Sequence, residues 1–164
     1  MDECTLPEKD IRDTKARGLI LLVSKVQQLR VGIFDYFDDA FERLVTVGDA
    51  EGYPACVERF KPKFTALDGD LERCAMRLDA LQQAPLGTLV RGIIRIERIR
   101  FDAKCEEQVL RQRLSLTELD SDERPALKTS VVQKTAALAA EAAKVEEALE
   151  ELRAEAADLD EEED

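Results

Sequence analysis

Residues 57–81 read VERFKPKFTALDGDLERCAMRLDAL. Large apolar residues recur through this stretch at alternating intervals of three and four, which is the spacing of one face of an α-helix. The members of this seam are Val57, Phe60, Phe64, Leu67, Leu71, Cys74, Leu78 and Leu81. Such a seam is stable only when another helix covers it, because burial of each large side chain contributes about 1.5–3 kcal/mol. The stretch therefore predicts packing of helix on helix.

The same periodicity occurs on both sides of this stretch. It predicts one helix over residues 15–47 and another over residues 86–114, with the central helix running from Pro54 to residue 84. Gly48 and Pro85 mark the breaks between the helices. The links are short, and short links force neighbouring helices to run antiparallel. The fold class predicted is all-α, an elongated antiparallel bundle of three long helices plus a fourth, coiled-coil-like C-terminal helix.

Folding the predicted helices back on one another gives a register for each pair, within about one turn. The first pair of helices places Phe41 on Phe60 and Phe37 on Phe64. The second pair places Cys74 on Ile93, with apolar residues facing one another at the neighbouring levels as well. Pro62 lies inside the central helix, and because Phe60 and Phe64 stay in phase across it, we expect a kinked but continuous helix.

The two ends of the chain are predicted to lie outside the three-helix core, which spans residues 15–116. Residues 1–14 are expected to be a flexible arm. Residues 117–157 are expected to form a linker and the fourth helix, whose seam contains many alanines and so requires either a close partner or weak attachment. Residues 158–164 are an acidic tail. The tail is either a solvated terminus or a contact for a basic partner.

Composition excludes several classes of site. The chain has 164 residues, a net charge of −12 and no histidine, which rules out histidine-based catalysis and the usual zinc ligand sets. Its four cysteines are widely spaced, so we expect reduced thiols and no disulfide framework. No nucleotide-binding or nucleophile motif occurs, and we predict no enzyme activity, no metal, no cofactor and no small-molecule substrate. The absence of an apolar leader or a long apolar run predicts a protein that is neither secreted nor in a membrane.

One segment of this acidic chain is basic. Residues 85–116 contain seven basic and four acidic residues, whereas residues 117–164 contain five and sixteen. Arg91, Arg95 and Arg98 recur at helical spacing in the basic segment and are candidate contacts for phosphate or for an acidic partner surface. The alternative is that these arginines pair with acids of a neighbouring helix.

A second charged feature lies on the apolar side of the same predicted helix. Glu97 falls near the middle of the apolar face, where a carboxylate needs a partner, and Arg100 is the nearest cation, three residues on. A structural ion pair that fixes helix register is predicted, with a contact for a docked partner as the alternative.

Several residues along the chain resemble a known family. Pro85-Leu86, Val90-Arg91, Ile93, Ile96-Glu97 and Arg100, together with Val23, Val26, Gln28-Leu29, Phe37 and Tyr53-Pro54 in the same order, are similar to the helical "required for excision" B-type domain. That domain occurs in small DNA-repair-associated proteins. The resemblance covers residues 19–114 and implies a role in excision repair of DNA damage, without implying a catalytic residue.

The function predicted is a non-enzymatic helical adaptor. It would bind one or more helical protein partners, as part of a multiprotein complex in the nucleus or cytoplasm. The rival prediction is a structural coiled-coil subunit of a cytoskeletal assembly such as a ciliary axoneme, because the alanine-rich fourth seam needs a helical partner. Direct binding of nucleic acid through the arginines is a third possibility.

Overall fold

Five helices form the part of the chain that the computed structural model describes, residues 5–116 and 121–159. They are α1 (Glu8–Arg12), α2 (Ala16–Val47), α3 (Tyr53–Ala80), α4 (Ala84–Ser115) and α5 (Glu123–Asp158). The four long helices pack as an antiparallel bundle, and α2, with 32 residues, is about 48 Å long. The predicted all-α fold is confirmed, and the described residues contain no strand.

One hydrophobic core runs through the bundle. It contains buried side chains of all four long helices, among them Phe37 of α2, Leu67 of α3, Ile93 of α4 and Leu152 of α5. Helix α4 packs against both α3 and α5, and α2 packs mainly on α3. Because α4 has neighbours on two sides, its apolar face is broad.

The links between helices use the predicted residues. Gly48 ends α2 in the left-handed conformation, with φ of 71°, which a residue without a side chain adopts at little cost. Pro54 and Pro85 occupy the first turns of α3 and α4, where a missing backbone N–H is harmless. The turn before α4 also contains Gln82 at a φ of 62°.

Helix α3 continues through Pro62, so the predicted continuity is confirmed. Pro62 is exposed, whereas Phe60 and Phe64 on either side of it are buried. Both phenylalanines contact aromatic rings of α2: Phe60 packs on Phe37 at 5.2 Å between ring centroids, and Phe64 packs on Phe34 at 4.6 Å. This buried aromatic layer outweighs the hydrogen bond that the proline removes.

The register between α2 and α3 lies within about one turn of the predicted one. Phe37 contacts Phe64, as predicted, at 6.3 Å between centroids. The ring contact of Phe60 is with Phe37, and that of Phe41 is with Tyr53, the first residue of α3. Between α3 and α4, Phe64 contacts Phe101 at 4.9 Å, close to the predicted register.

The N-terminal segment differs from the flexible arm predicted for residues 1–14. Leu6 and Ile11 are buried, and the short helix α1 packs on α3. The backbone N–H of Leu6 donates to Asp70 Oδ2 at 2.9 Å, and Arg73 Nη2 donates to the carbonyl of Leu6 at 2.8 Å. Two buried apolar side chains and hydrogen bonds to both the N–H and the carbonyl of Leu6 therefore hold residues 6–11 on the bundle. Residues 1–4 lie outside the described part.

Helix α5 also differs from the predicted appendage. In the second half of its seam, Val145, Leu149, Leu152 and Ala156 are buried in the common core, and α5 packs against α4 and, more sparingly, α2. The first half of the seam, from Val131 to Ala142, is exposed or only partly buried. The core therefore has four long helices, because the small residues of the seam let α5 approach α4 closely. Within the acidic tail, residues 160–164 lie outside the described part.

Candidate functional site: the two charged faces of α4

A layer of polar side chains crosses the middle of the apolar core. Arg30 of α2, only 2% exposed, donates from Nη2 to Asp68 Oδ1 of α3 at 2.7 Å. Its Nε donates to Gln27 Oε1 at 3.1 Å, and Gln27 Nε2 donates to Glu97 Oε1 of α4 at 2.7 Å. These contacts connect α2, α3 and α4 at one level.

Glu97 and Arg100 complete this buried layer. Glu97 is 1% exposed, and Arg100 Nη1 lies 3.4 Å from its Oε2. The guanidinium of Arg100 also lies over the ring of Phe34, 4.6 Å from the centroid. The structure therefore brings the predicted pair together, and Gln27 is an additional partner of the carboxylate. The free-energy cost of burying this carboxylate is low only in the register that keeps both partners within reach of it.

Arg30, Gln27 and Asp68 were not predicted as members of this layer. A signal for Arg30 exists in the sequence, since it follows Val26 by four residues and Val23 by seven, which places a charge inside the apolar seam of α2. Asp68 and Gln27 have no comparable signal, because their burial depends on how α4 lies across α2 and α3.

A second polar layer joins the same helices nearer the C-terminal end of α4. Gln108 is fully buried; its Nε2 donates to Asp38 Oδ1 at 3.1 Å, and its Oε1 accepts from the Tyr53 hydroxyl at 3.0 Å. Lys104 pairs with Asp38 at 2.9 Å. Burial, and after it the nearby Cys105, raises the pKa of Tyr53 far above its ordinary value, so this hydroxyl stays a donor.

Glu107 is the poorly matched member of this second layer. It is 5% exposed, and its Oε2 accepts no hydrogen bond within the described part of the chain. Its nearest cations are Arg111 at 3.6 Å and Lys104 at 3.9 Å. Burial raises the pKa of Glu107, and the two cations only partly oppose this effect.

The three arginines of the predicted stripe lie together on the outer face of α4. They line a shallow cleft of about 350 Å³ whose other walls are Glu72, Thr88 and Ile94. Arg91 donates from Nε to Glu72 at 2.9 Å and from Nη2 to Asp79 at 2.7 Å. These two hydrogen bonds, that of Asp79 first, raise the pKa of Arg91. Arg98 Nε donates to Asp68 Oδ2 at 3.0 Å.

The outer face is therefore close to charge balance. Arg91 and Arg98 pair with acids of α3, as the alternative interpretation of the stripe predicts. Arg95 differs, because it is exposed and forms no ion pair with any other described residue. Arg98 keeps much of its side chain open, at 67% exposed. Arg95 and the exposed part of Arg98 are the groups of the stripe that a partner can reach.

The thiols are unsuited to nucleophilic chemistry. Cys74 is buried, and burial raises its pKa to about 11; burial also raises the pKa of Cys56 and Cys105. All three are free and protonated at neutral pH. Cys4 lies outside the described residues.

Metal-binding and membrane-spanning features are both absent from the described residues. No group of three or more acidic or cysteine side chains among them is arranged to hold a metal ion. None of the described helices is both long enough and apolar enough to span a bilayer.

Comparison with known proteins gives one match. The model of a family described as DNA repair REX1-B matches residues 18–111, which include nearly all of α2, all of α3 and most of α4. No curated protein and no solved structure matches the chain. The match confirms the association with DNA repair that the resemblance implies, while the excision step remains a prediction.

Proposed function

This chain belongs to the DNA repair REX1-B family, and we propose that it acts in excision repair of DNA damage as a non-enzymatic adaptor that holds protein partners together in the nucleus. The proposal rests on which residues the family model matches. Those residues form the three helices that the buried layer around Arg30 joins in one register. A frame fixed by buried charges presents its outer surfaces in a constant arrangement, which is what an adaptor needs.

The charged residues inside the bundle are paired with one another, which supports a binding role over a catalytic one. Arg30, Asp68, Glu97 and Arg100 are bound to one another, and Arg91 is bound to two carboxylates of α3. Charged groups committed to internal partners are poorly placed to transfer a proton to a substrate.

Arg95 and Arg98 are the proposed contacts of the outer face, with Arg91 holding α4 to α3 beneath them. A guanidinium forks onto a carboxylate or onto a phosphate. The acids of α3 beside the stripe already neutralise Arg91 and much of Arg98, so the stripe offers little net positive charge to a long DNA backbone. A folded acidic partner needs to approach only Arg95 and the exposed part of Arg98. These charges favour a protein partner over duplex DNA.

The cytoskeletal alternative loses its original motive. It rests on a fourth seam that requires a helical partner from another molecule. The large residues Val145, Leu149 and Leu152 of that seam are covered within the chain by α4 and α2, while the first half of the seam, from Val131 to Ala142, is exposed or only partly buried. No observation favours it over the repair role.

Cells lacking this chain test the repair role. We expect slower removal of ultraviolet photoproducts from their DNA, restored by the wild-type chain. Arg95→Glu should restore removal poorly, because it reverses the exposed charge of the stripe. Lys128→Glu is the matched control, since it makes the same change at an exposed residue of α5. Normal photoproduct removal in the deficient cells would overturn the proposal.

A test with purified protein separates the adaptor from an enzyme or a DNA-binding protein. The chain alone should leave an ultraviolet-irradiated duplex intact. It should also bind that duplex weakly, with a similar affinity for wild type and for the Arg91→Ala, Arg95→Ala, Arg98→Ala triple variant. Cleavage of the duplex would contradict the adaptor. So would tight, strongly salt-dependent binding that the triple variant loses.

A further inference from the structure

A line of exposed apolar residues lies on the outer side of the α2–α3 pair, away from α5. Leu29, Tyr36 and Val47 follow one another at intervals of seven and eleven residues, which keeps them on one line along α2. They are 40%, 57% and 75% exposed. Neighbouring Ile33 packs inward in the core, so this line borders the contact between α2 and α3.

A row of residues with helical spacing runs beside that line on α3. Its members, at alternating intervals of four and three, are Arg59, Lys63, Ala66, Asp70, Arg73 and Arg77. The register that joins Phe37 to Phe60 and Arg30 to Asp68 puts Tyr36 at the level of Lys63 and Arg59. An apolar line on α2 and a basic row on α3 thus lie side by side.

Three cations of this surface have no carboxylate partner. Arg43 of α2 and Arg59 and Lys63 of α3 form no ion pair with other described residues. Arg59 lies over the ring of Phe60 at 5.5 Å. Arg73, farther along the row, differs, because it binds a carboxylate of α3. The chain has a net charge of −12, and the three cations without a carboxylate partner lie beside exposed apolar residues.

The chain itself already covers one end of this surface. Leu6 and Ile11 are buried there, and the peptide groups of Leu6 bind Asp70 and Arg73, which belong to the same row of α3. The covering segment carries Glu8 and Asp10 in its short helix. The covered end shows that an apolar segment with acidic residues packs on this row. The stretch beside Arg59 and Lys63, up to three turns earlier on α3, is left open.

Building on the adaptor role, we propose that the open stretch of this surface, formed by Tyr36, Arg43, Val47, Arg59 and Lys63, docks an acidic amphipathic helix of a protein partner. The apolar side of that helix packs on Tyr36 and Val47, continuing the line begun by residues 6–11. Its carboxylates pair with Arg43, Arg59 and Lys63. An adaptor needs two separate surfaces, and this one lies on the other side of α3 from Arg95.

The test uses the full-length chain and two labelled synthetic helices. Both carry leucine at helical spacing on one side; the other positions are glutamate in one peptide and lysine in the other. Fluorescence anisotropy should show binding of the glutamate peptide alone. The Arg59→Glu, Lys63→Glu double variant should lower the affinity about tenfold or more, since about 1.4 kcal/mol corresponds to tenfold. Tyr36→Ser should lower it as well, through lost apolar contact.

Matched controls keep the test specific. The Lys128→Glu, Lys144→Glu double variant changes the overall charge equally at two exposed residues of α5 and should bind the glutamate peptide as the wild type does. Equal binding of the two peptides, or an unchanged affinity of the Arg59→Glu, Lys63→Glu variant, would overturn the proposal. A large gain in affinity on removal of residues 1–4 would do so too, because that segment of the chain would then be the occupant. Binding of a DNA duplex that the same variant abolishes, without binding of the glutamate peptide, would assign the surface to nucleic acid instead.

The repair assay separates this proposal from the adaptor role itself. If deficient cells repair normally, the adaptor role fails, whatever the peptide does. If they are defective and the Arg59→Glu, Lys63→Glu variant restores repair fully, the docking surface fails and the adaptor role stands.

Discussion

Helix α4 carries charge on two faces with opposite surroundings. On the inner face, Glu97 is almost fully buried and bound by Gln27 and Arg100. On the outer face, one turn away or less, Arg95 and Arg98 are exposed to solvent. An inner charge that loses its partner has no water to replace it, whereas an outer one does. The inner face therefore sets the register of the bundle, and the outer face is free to change with a partner.

The largest effect that tests this comparison is expected at Arg30. Arg30→Met removes the cation of the buried layer at similar volume. It leaves Asp68 Oδ1 and Gln27 Oε1 each without a donor, and only Arg98 still binds the Asp68 carboxylate. We expect a loss of about 3–5 kcal/mol in the free energy of unfolding, measured by urea denaturation.

The control for that prediction is Arg98→Ala. Arg98→Ala removes the exposed partner of the same carboxylate and should cost below about 1 kcal/mol. A loss at Arg30 as small as that at Arg98 would break the distinction between the two faces.

A smaller loss is expected at the predicted ion pair. Glu97→Gln removes the negative charge but keeps the shape, so the hydrogen bond from Gln27 can persist while Arg100 loses its counter-ion. We expect a cost of about 1–3 kcal/mol by the same measurement. Since Arg100 is 22% exposed and gains some solvation, the cost should stay below that of Arg30→Met. An unchanged free energy of unfolding would argue against a structural role for the pair.

Glu107 is a buried charge without a well-placed partner. Its removal should therefore stabilise the protein, whereas removal of Arg30 should destabilise it. The pKa of Glu107 is raised in the folded state, so its contribution to stability is present below the ordinary value of 4.5 and is lost as the pH rises through the folded pKa. Glu107→Gln should therefore stabilise the protein at pH 7 by up to about 1 kcal/mol. Asp102→Asn is the control, at an exposed carboxylate of α4 that forms no ion pair with other described residues. A gain that persists unchanged at pH 4 would contradict an electrostatic origin.

The smallest effects are expected along the outer stripe. Arg91→Ala breaks two cross-helix pairs that are partly exposed and should cost below about 1 kcal/mol. Arg95→Ala should leave stability unchanged within about 0.5 kcal/mol, because its side chain forms no ion pair with the described residues. A larger loss at Arg95 than at Arg91, in thermal or urea unfolding, would show that the outer face is structural as well.

Sequence patterns reveal some of the buried polar and charged residues of this protein and not others. Glu97 was predicted because a charge stood inside an apolar periodicity, and Arg30 carries the same signal in α2. Gln27, Asp68 and Gln108 stand at positions where a polar residue is ordinary. They become buried only because the helices around α4 meet at their level. Leu6 and Ile11 were missed for a related reason, since an isolated five-residue helix has no periodicity long enough to detect.

The amino-acid sequence by itself determines the four long helices of this protein, their ends at Gly48, Pro54 and Pro85, and their antiparallel order. These follow from local backbone preferences and from apolar spacing, which need no knowledge of the partner surface. Only the tertiary structure decides that α5 closes the core, that Arg91 is bound while Arg95 is not, and that the surface beside Arg59 is left open. Each of these depends on which distant side chain reaches a given atom, and the free energy of a charge depends on that distance and on the water it excludes.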